Sequence, residues 1–220
     1  MTACLVRARS RGVRRLRFEK WQGLGNDFVL LDAGALTEAE ALALAPRLCD
    51  RRLGIGADGL LLCADAANPA AMIVVNADGS RPEMCGNGLR CVAAQRARGE
   101  RAELVVGTDA GPKPVSVTWA AGVASVAVRM GRAQPRGTLA IELDGEEYAF
   151  QAVDMGNPHA VRFGPRVPRA LQDRLGPLVE KRPRGGTNVE FVVDGGAALE
   201  VVVWERGVGY TQACGTGACA

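Results

Sequence analysis

Apolar residues in this 220-residue chain follow two periods, one of strands and one of helices. The runs "FVLLDA" (28–33), "DGLLLCADA" and "AMIVVNADGS" are short, apolar and closed by turn residues, so they predict strands. "TEAEALALAPRLCDRR" (37–52) has the helical period, with Thr37 as N-cap and Glu40 completing a capping box. A further helix is predicted from about Gly86 to Gly99, followed by a meander over "AELVVGTDA", "KPVSVTWA" and "GVASVAVRM". "GRAQPRG" (131–137) has the composition of a linker. Beyond it come strands in "LAIELDGEEYAFQAVDMGNPHAVRFG", a helix in "PRALQDRLGPLVEKR", strands in "TNVEFVVDGGAALEVVVWERG", and a helix start at 215.

The second half thus repeats the order of the first. Asn26 in "GLGNDFV" precedes Cys85 by 59 residues, and Asn157 in "MGNPHAV" precedes Cys214 by 57. Each half leads an Asn-containing turn to a Cys-Gly-X-Gly helix start, which points to duplication and a pseudo-twofold pair. The expected organisation is an arginine-rich extension over 1–16, an N-terminal domain over 17–131 and a C-terminal domain over 132–220.

Composition adds exclusions. With 48% hydrophobic and 23% charged residues the chain is an ordinary globular one. No apolar run approaches the roughly 18–20 residues needed to cross a bilayer, so no membrane span is expected. The net charge of +3 comes from one end: residues 1–17 hold six arginines and no acid, while the remainder balances 21 basic against 24 acidic residues. No general nucleic-acid footprint follows. The extension lacks the apolar core of a secretory signal and is expected to be disordered; a transit peptide or an RNA-binding arm are the other readings.

Seven cysteines (4, 49, 63, 85, 91, 214, 219) form an odd set without a CxxC pair, and His159 is the one histidine. Reduced thiols in a cytoplasm fit better than a disulfide framework, and no metal site is expected. Cys4, Cys49, Cys63, Cys91 and Cys219 read as small buried hydrophobes. Cys85 and Cys214 differ by their repeated glycine context. A thiol before a helix N-terminus meets unsatisfied N–H groups that favour thiolate, and the same groups can hold a carboxylate. Two such thiols on opposite sides of one carbon suit inversion of a stereocentre: one thiolate removes the Cα proton and the opposite thiol delivers another. "GIGADG" (54–59) matches a dinucleotide fingerprint, but a helix precedes it and a strand follows, so it reads as a turn.

"GLGNDFV", "GIGADG", "NADGSRPEMCGNGLRC", "MGNPHAV", "TNVEF" and "WERGVGYTQACGTGACA" together resemble the signature blocks of the diaminopimelate epimerase family, from about Arg17 to Ala220. The resemblance implies an α/β (α+β) fold of two similar domains, each wrapping curved strands around a central helix, with the site in the cleft. It implies cofactor-independent, PLP-independent epimerisation of LL- to meso-diaminopimelate in lysine and peptidoglycan precursor biosynthesis. Carried over by motif, Cys85 and Cys214 are the acid/base pair. Gly86, Asn87, Gly215 and Thr216 offer backbone N–H groups to the carboxylate at the reacting centre. Asn26, Asn76, Asn157, Asn188, Glu205 and Arg206 hold the substrate's amino and carboxylate groups, and His159 and Glu205 adjust the thiols. The partner is then a small-molecule substrate, with no cofactor, metal, nucleic acid or membrane, and a homodimer as the family's frequent assembly.

The resemblance has departures. Gly59 stands where some members carry glutamine, and Tyr210 where Glu or Leu is frequent. Family members also continue beyond the second Cys-Gly-Thr-Gly, so a segment missing at the C-terminus is expected: a shortened product, a gene fragment or a degenerate copy, with activity in question. The alternatives are an inactive homologue that binds RNA or a partner through its arginine-rich arm, and a racemase of a related amino acid.

Overall fold

The structure is a computed structural model that describes residues 2–7, 13–32, 34–63 and 70–220. The chain forms two compact units, Met1–Arg129 and Met130–Ala220.

The first unit carries β1 (Thr2–Arg7), β2 (Val13–Gly23), β3 (Asn26–Asp32), α1 (Glu38–Leu48), β4 (Gly59–Cys63), β5 (Ala70–Asn76), α2 (Gly86–Ala97), β6 (Ala102–Gly107), β7 (Lys113–Ala120) and β8 (Val123–Val128). Its eight strands lie side by side in chain order. Neighbours are antiparallel except β3 with β4 and β5 with β6, the two pairs with a helix between them. A parallel pair needs such a crossover, which is why the helices fall there.

Local sequence accounts for α1. Thr37 Oγ1 accepts from the Glu40 N–H at 3.2 Å, and Glu40 Oε2 accepts from the Thr37 N–H at 2.8 Å. The helix ends at Leu48 rather than at 52, because Asp50 Oδ1 accepts from the N–H groups of Arg52 and Leu53, both at 2.7 Å, and turns the chain. Ala41, Ala45 and Leu48 of α1 pack with Val29, Leu31, Leu60 and Leu62 of β3 and β4. Every residue of β4 is buried. Ten of the twelve residues of α2 are buried too, so α2 is a central helix with strands on all sides rather than an amphipathic surface helix.

"GIGADG" is a turn into β4, as its flanks predict. A Cβ on Gly54 would stand 2.7 and 2.8 Å from the carbonyl oxygens of Leu48 and Asp50 and nearer still to that of Arg47. Backbone atoms cannot rotate away, so Gly54→Ala is expected to cost about 3 kcal/mol, at the upper end of overpacking. A urea midpoint unchanged from wild type would refute this.

The arginine-rich start departs from expectation. Residues 1 and 8–12 lie outside the described residues, but the rest is strand rather than a disordered extension: β1 pairs antiparallel with β2. The reason is alternation within β2, which sends Leu16 and Phe18 into the core while Arg15 and Arg17 face solvent.

The second unit carries β9 (Gln134–Leu143), β10 (Glu146–Asp154), β11 (Pro158–Phe163), α3 (Arg169–Lys181), β12 (Asn188–Asp194), β13 (Leu199–Glu205) and β14 (Gly209–Thr211). Strand β9 takes up part of the stretch expected as a linker. The six strands again lie in chain order, with only β11 and β12 parallel, on either side of α3. Leu175 and Val179 of α3 pack against Phe150, Val189 and Phe191. After β14 the described chain makes a 3-10 turn, Gly217–Cys219, where the start of an α-helix was expected.

The repeat in the sequence is a repeat in topology. Each unit runs antiparallel, parallel, antiparallel through β2–β3–β4–β5 or β10–β11–β12–β13, with its crossover helix at the same place. Phe28 pairs with Gly59 at the start of β4 as His159 pairs with Asn188 at the start of β12.

Candidate functional site

In the first unit Cys85 is the N-cap of α2, with extended backbone (φ −135°, ψ 112°) and its Sγ accepting from the Gly88 N–H at 3.4 Å. A Cβ at 88 would lie 2.8 Å from Leu61 Cδ2, so any larger residue there must displace the buried Leu61 side chain. Asn26, at the start of β3, places Oδ1 3.9 Å from Cys85 Sγ, which donates to it. The other end of that amide is anchored: Asn26 Nδ2 donates to Asp58 Oδ2 at 2.8 Å. Asp58 Oδ1 in turn takes Arg51 Nη2 at 2.7 Å, and the same guanidinium reaches Asp27 at 2.6 Å. Burial alone would raise the Asp27 carboxyl, but Arg51 and Lys20 hold it well below the usual carboxylate range. The "GIGADG" turn therefore positions an amide beside a thiol.

Asn76 closes β5 and donates from Nδ2 to Ser80 Oγ at 2.9 Å. Gly86 and Asn87 are buried in the first turn of α2, where Asn87 Oδ1 accepts from Arg90 at 3.0 Å. Gly59 has no room for a longer side chain, since a Cβ would stand 2.6 Å from the Val75 carbonyl oxygen.

In the second unit Cys214 Sγ accepts from the Gly217 N–H at 3.3 Å, the counterpart of the Gly88 bond. Thr216 Oγ1 lies 3.3 Å from the sulfur and also accepts from Asn157 Nδ2 at 3.3 Å. Asn157 Oδ1 is 3.2 Å from His159 Nε2, and His159 Nδ1 is 2.8 Å from Glu190 Oε1. The His159 and Glu190 side chains are fully buried. Four expected site residues, Asn157, His159, Cys214 and Thr216, thus belong to one network, and Gly215 lies in the turn joining Cys214 to Thr216.

Asn188, Glu205 and Arg206 stand at the neighbouring strand ends. Asn188 Nδ2 donates to the Pro158 carbonyl at 3.0 Å and its Oδ1 accepts from the Arg206 N–H at 2.9 Å. Glu205 Oε1 accepts from Thr211 Oγ1 at 2.6 Å, and Arg206 Nη1 donates to the Gly185 carbonyl at 3.1 Å.

Burial opposes the N–H groups expected to favour thiolate at 214. Desolvation, then the carboxylates of Glu205 and Glu190, push the Cys214 thiol up to about 12, against the opposing bonds from Thr216 and Gly217. Cys49, Cys63 and Cys91 are buried as expected, and burial raises Cys49 to about 11 and Cys91 to about 12. Cys219 is exposed instead, on the 3-10 turn, and the side chain of Cys4 lies outside the described residues.

Two residues that bond to expected site residues, Asp58 to Asn26 and Glu190 to His159, carry no role in the sequence reading. Glu190 had a readable signal, a lone acid inside the apolar strand "NVEFVV". Among the described residues, His159, Glu190 and Cys214 bring donor atoms within 4.8 Å of one another, with both ring nitrogens already hydrogen-bonded within the network. No described helix is long and apolar enough to cross a membrane.

The chain matches known proteins in sequence and in fold. The family described as diaminopimelate epimerase matches residues 18–135 and 151–220. A diaminopimelate epimerase of Desulforudis audaxviator is 46% identical over 226 residues, covering 93% of this chain and 81% of that protein. One from Moorella thermoacetica is 43% identical over 229 residues, with the same coverage of 93% and 81%. Among solved structures, a hydroxyproline epimerase from Agrobacterium vitis superposes with a TM-score of 0.71 at 16% identity, covering 93% of this chain and 75% of that one, a likeness of fold. With two mixed α+β units and a family match across most of its length, the chain belongs to the diaminopimelate epimerase family.

Proposed function

We propose that this chain epimerises LL-2,6-diaminopimelate to the meso form without a cofactor, using Cys85 and Cys214 as paired acid and base. One observation carries the reading. In each unit the same succession of strands and crossover helix leads to a Cys-Gly-X-Gly turn whose sulfur accepts the N–H of the glycine three residues on. Family membership supplies the substrate.

In the proposed reaction one sulfur, as thiolate, takes the Cα proton from one face while the other, as thiol, delivers a proton to the opposite face. Backbone N–H groups around Gly86, Asn87, Gly215 and Thr216 stabilise charge developing on the adjacent carboxylate, the logic of an oxyanion site. Asn26, Asn76, Asn157, Asn188, Glu205 and Arg206 hold the remaining amino and carboxylate groups; a substrate with two ammonium and two carboxylate groups calls for amides, an Arg and a Glu. His159 and Glu205 tune the thiols. The same reading makes the protein a cytoplasmic biosynthetic enzyme acting on a small molecule, homodimeric, without nucleic-acid or membrane partners.

The test is incubation of the 220-residue chain with LL-diaminopimelate in D2O. Deuterium at Cα together with the meso product on chiral chromatography is expected. A folded protein that exchanges no Cα hydrogen would sink the proposal, and exchange into proline but not diaminopimelate would redirect it to a related racemase.

A further inference from the structure

Glu180 lies in the last turn of α3, at the negative end of the helix, where an acid gains nothing from the helix itself. Its carboxylate reaches two donors outside the helix. Oε2 accepts from Trp204 Nε1 at 2.6 Å, and Oε1 accepts from the Gly207 N–H at 2.9 Å. An indole N–H and a peptide N–H can only donate, so this position calls for a side chain with two acceptors. Trp204 is fixed on its own account: its ring lies against Gly176 and meets Tyr210 edge-on at 4.9 Å between centroids.

Gly207 lies in the turn between β13 and β14, directly after Glu205 and Arg206. The Arg206 N–H is bonded to Asn188 Oδ1, so two consecutive N–H groups of this turn are held from outside it, one by the start of β12 and one by the end of α3. The Arg206 side chain lies across the loop that precedes β12. Its Nη1 donates to the Gly185 carbonyl, and Gly186 leaves room for the stem, since a Cβ there would stand 2.9 Å from Arg206 Cδ. That loop is bonded to the same glutamate, whose backbone carbonyl accepts the Thr187 N–H at 3.0 Å. Glu180 thus ties down both the turn that carries Arg206 and the loop over which its side chain runs.

We propose that Glu180 is a positioning residue that sets the Arg206 guanidinium for the substrate carboxylate remote from the reacting carbon. The proposal rests on the epimerase reading above, which gives Arg206 such a group to hold. A contact with a remote carboxylate is made equally before and during proton transfer, so its loss reads in KM and not in kcat. Glu180→Gln keeps the length of the side chain but offers one acceptor where two donors wait. It is expected to raise KM for diaminopimelate about tenfold and to leave kcat within about twofold. Trp204→Phe removes the second donor, so in that background Glu180→Gln is expected to raise KM less than about threefold, a cycle that a general loss of stability does not reproduce. A second readout needs no turnover: backbone amide exchange of the 205–209 turn, followed by mass spectrometry, is expected to quicken in Glu180→Gln and to return toward its starting rate in the double variant. An unchanged KM, a fall in kcat alone, or unaltered exchange of the turn in folded Glu180→Gln protein overturns the proposal. If that variant does not fold, Glu180→Asp, which keeps both acceptors on a shorter reach, decides by the same readouts: a KM and a turn exchange equal to wild type overturn the proposal, and a rise in both supports it. Failure of the epimerase reading is a separate result, seen as wild-type protein that exchanges no Cα hydrogen while its turn exchange still responds to Glu180→Gln.

Discussion

Replacing either Cys85 or Cys214 by alanine is expected to lower interconversion of LL- and meso-diaminopimelate by about 10³-fold or more in both directions, within the range of a lost acid/base group. Inversion needs a proton carrier on each face of the carbon, so neither thiol can stand in for the other. The two losses are not additive: the double variant is expected to match either single one, because the groups act as a unit. Stability should change little at Cys85, which is half-buried, so activity rather than folding carries the result. Initial rates by chiral chromatography measure it. Turnover within tenfold of wild type in either single variant would end the two-thiol mechanism.

The second large effect is on stability, at the pair behind Cys214. His159→Phe leaves Glu190 as a buried carboxylate without its partner, and Glu190→Leu leaves a buried imidazole without its carboxylate; each is expected to cost about 3–5 kcal/mol. The double variant places in the second unit the Phe and Leu that the first unit carries at the same register positions. Replacing both partners of a buried hydrogen-bonded pair by apolar groups of similar shape is often nearly neutral, so the double variant is expected to recover most of the loss. Urea midpoints of the four proteins close the cycle. Simple addition of the two single losses would show that the pair is not coupled.

What the sequence disclosed was local. The Thr37–Glu40 box and the place of Cys85 just before a helix depend on neighbouring residues, and both stand as read. What it withheld depends on strands meeting. His159 and Glu190 are 31 residues apart and touch because β11 and β12 are parallel neighbours, which neither "MGNPHAV" nor "TNVEF" announces. Asp58 was hidden inside a glycine motif whose familiar meaning is phosphate binding. Leu16 was masked by the arginines around it, since composition was weighed there ahead of alternation. At Cys214 the helix-end argument was sound as far as it went, but desolvation, which no sequence displays, outweighs it.

Strand order has a consequence for how the protein is made. In both sheets each strand lies beside the one synthesised just before it. Pairing can follow the chain off the ribosome, without any strand waiting for a distant partner, and the first unit can close before the second is translated. The slow points are the parallel pairs, β3 with β4, β5 with β6 and β11 with β12, where a helix must form before the next strand can dock. The two proposed thiols differ in this respect: Cys85 precedes α2 and the strands β6, β7 and β8 of its unit, whereas Cys214 follows β14.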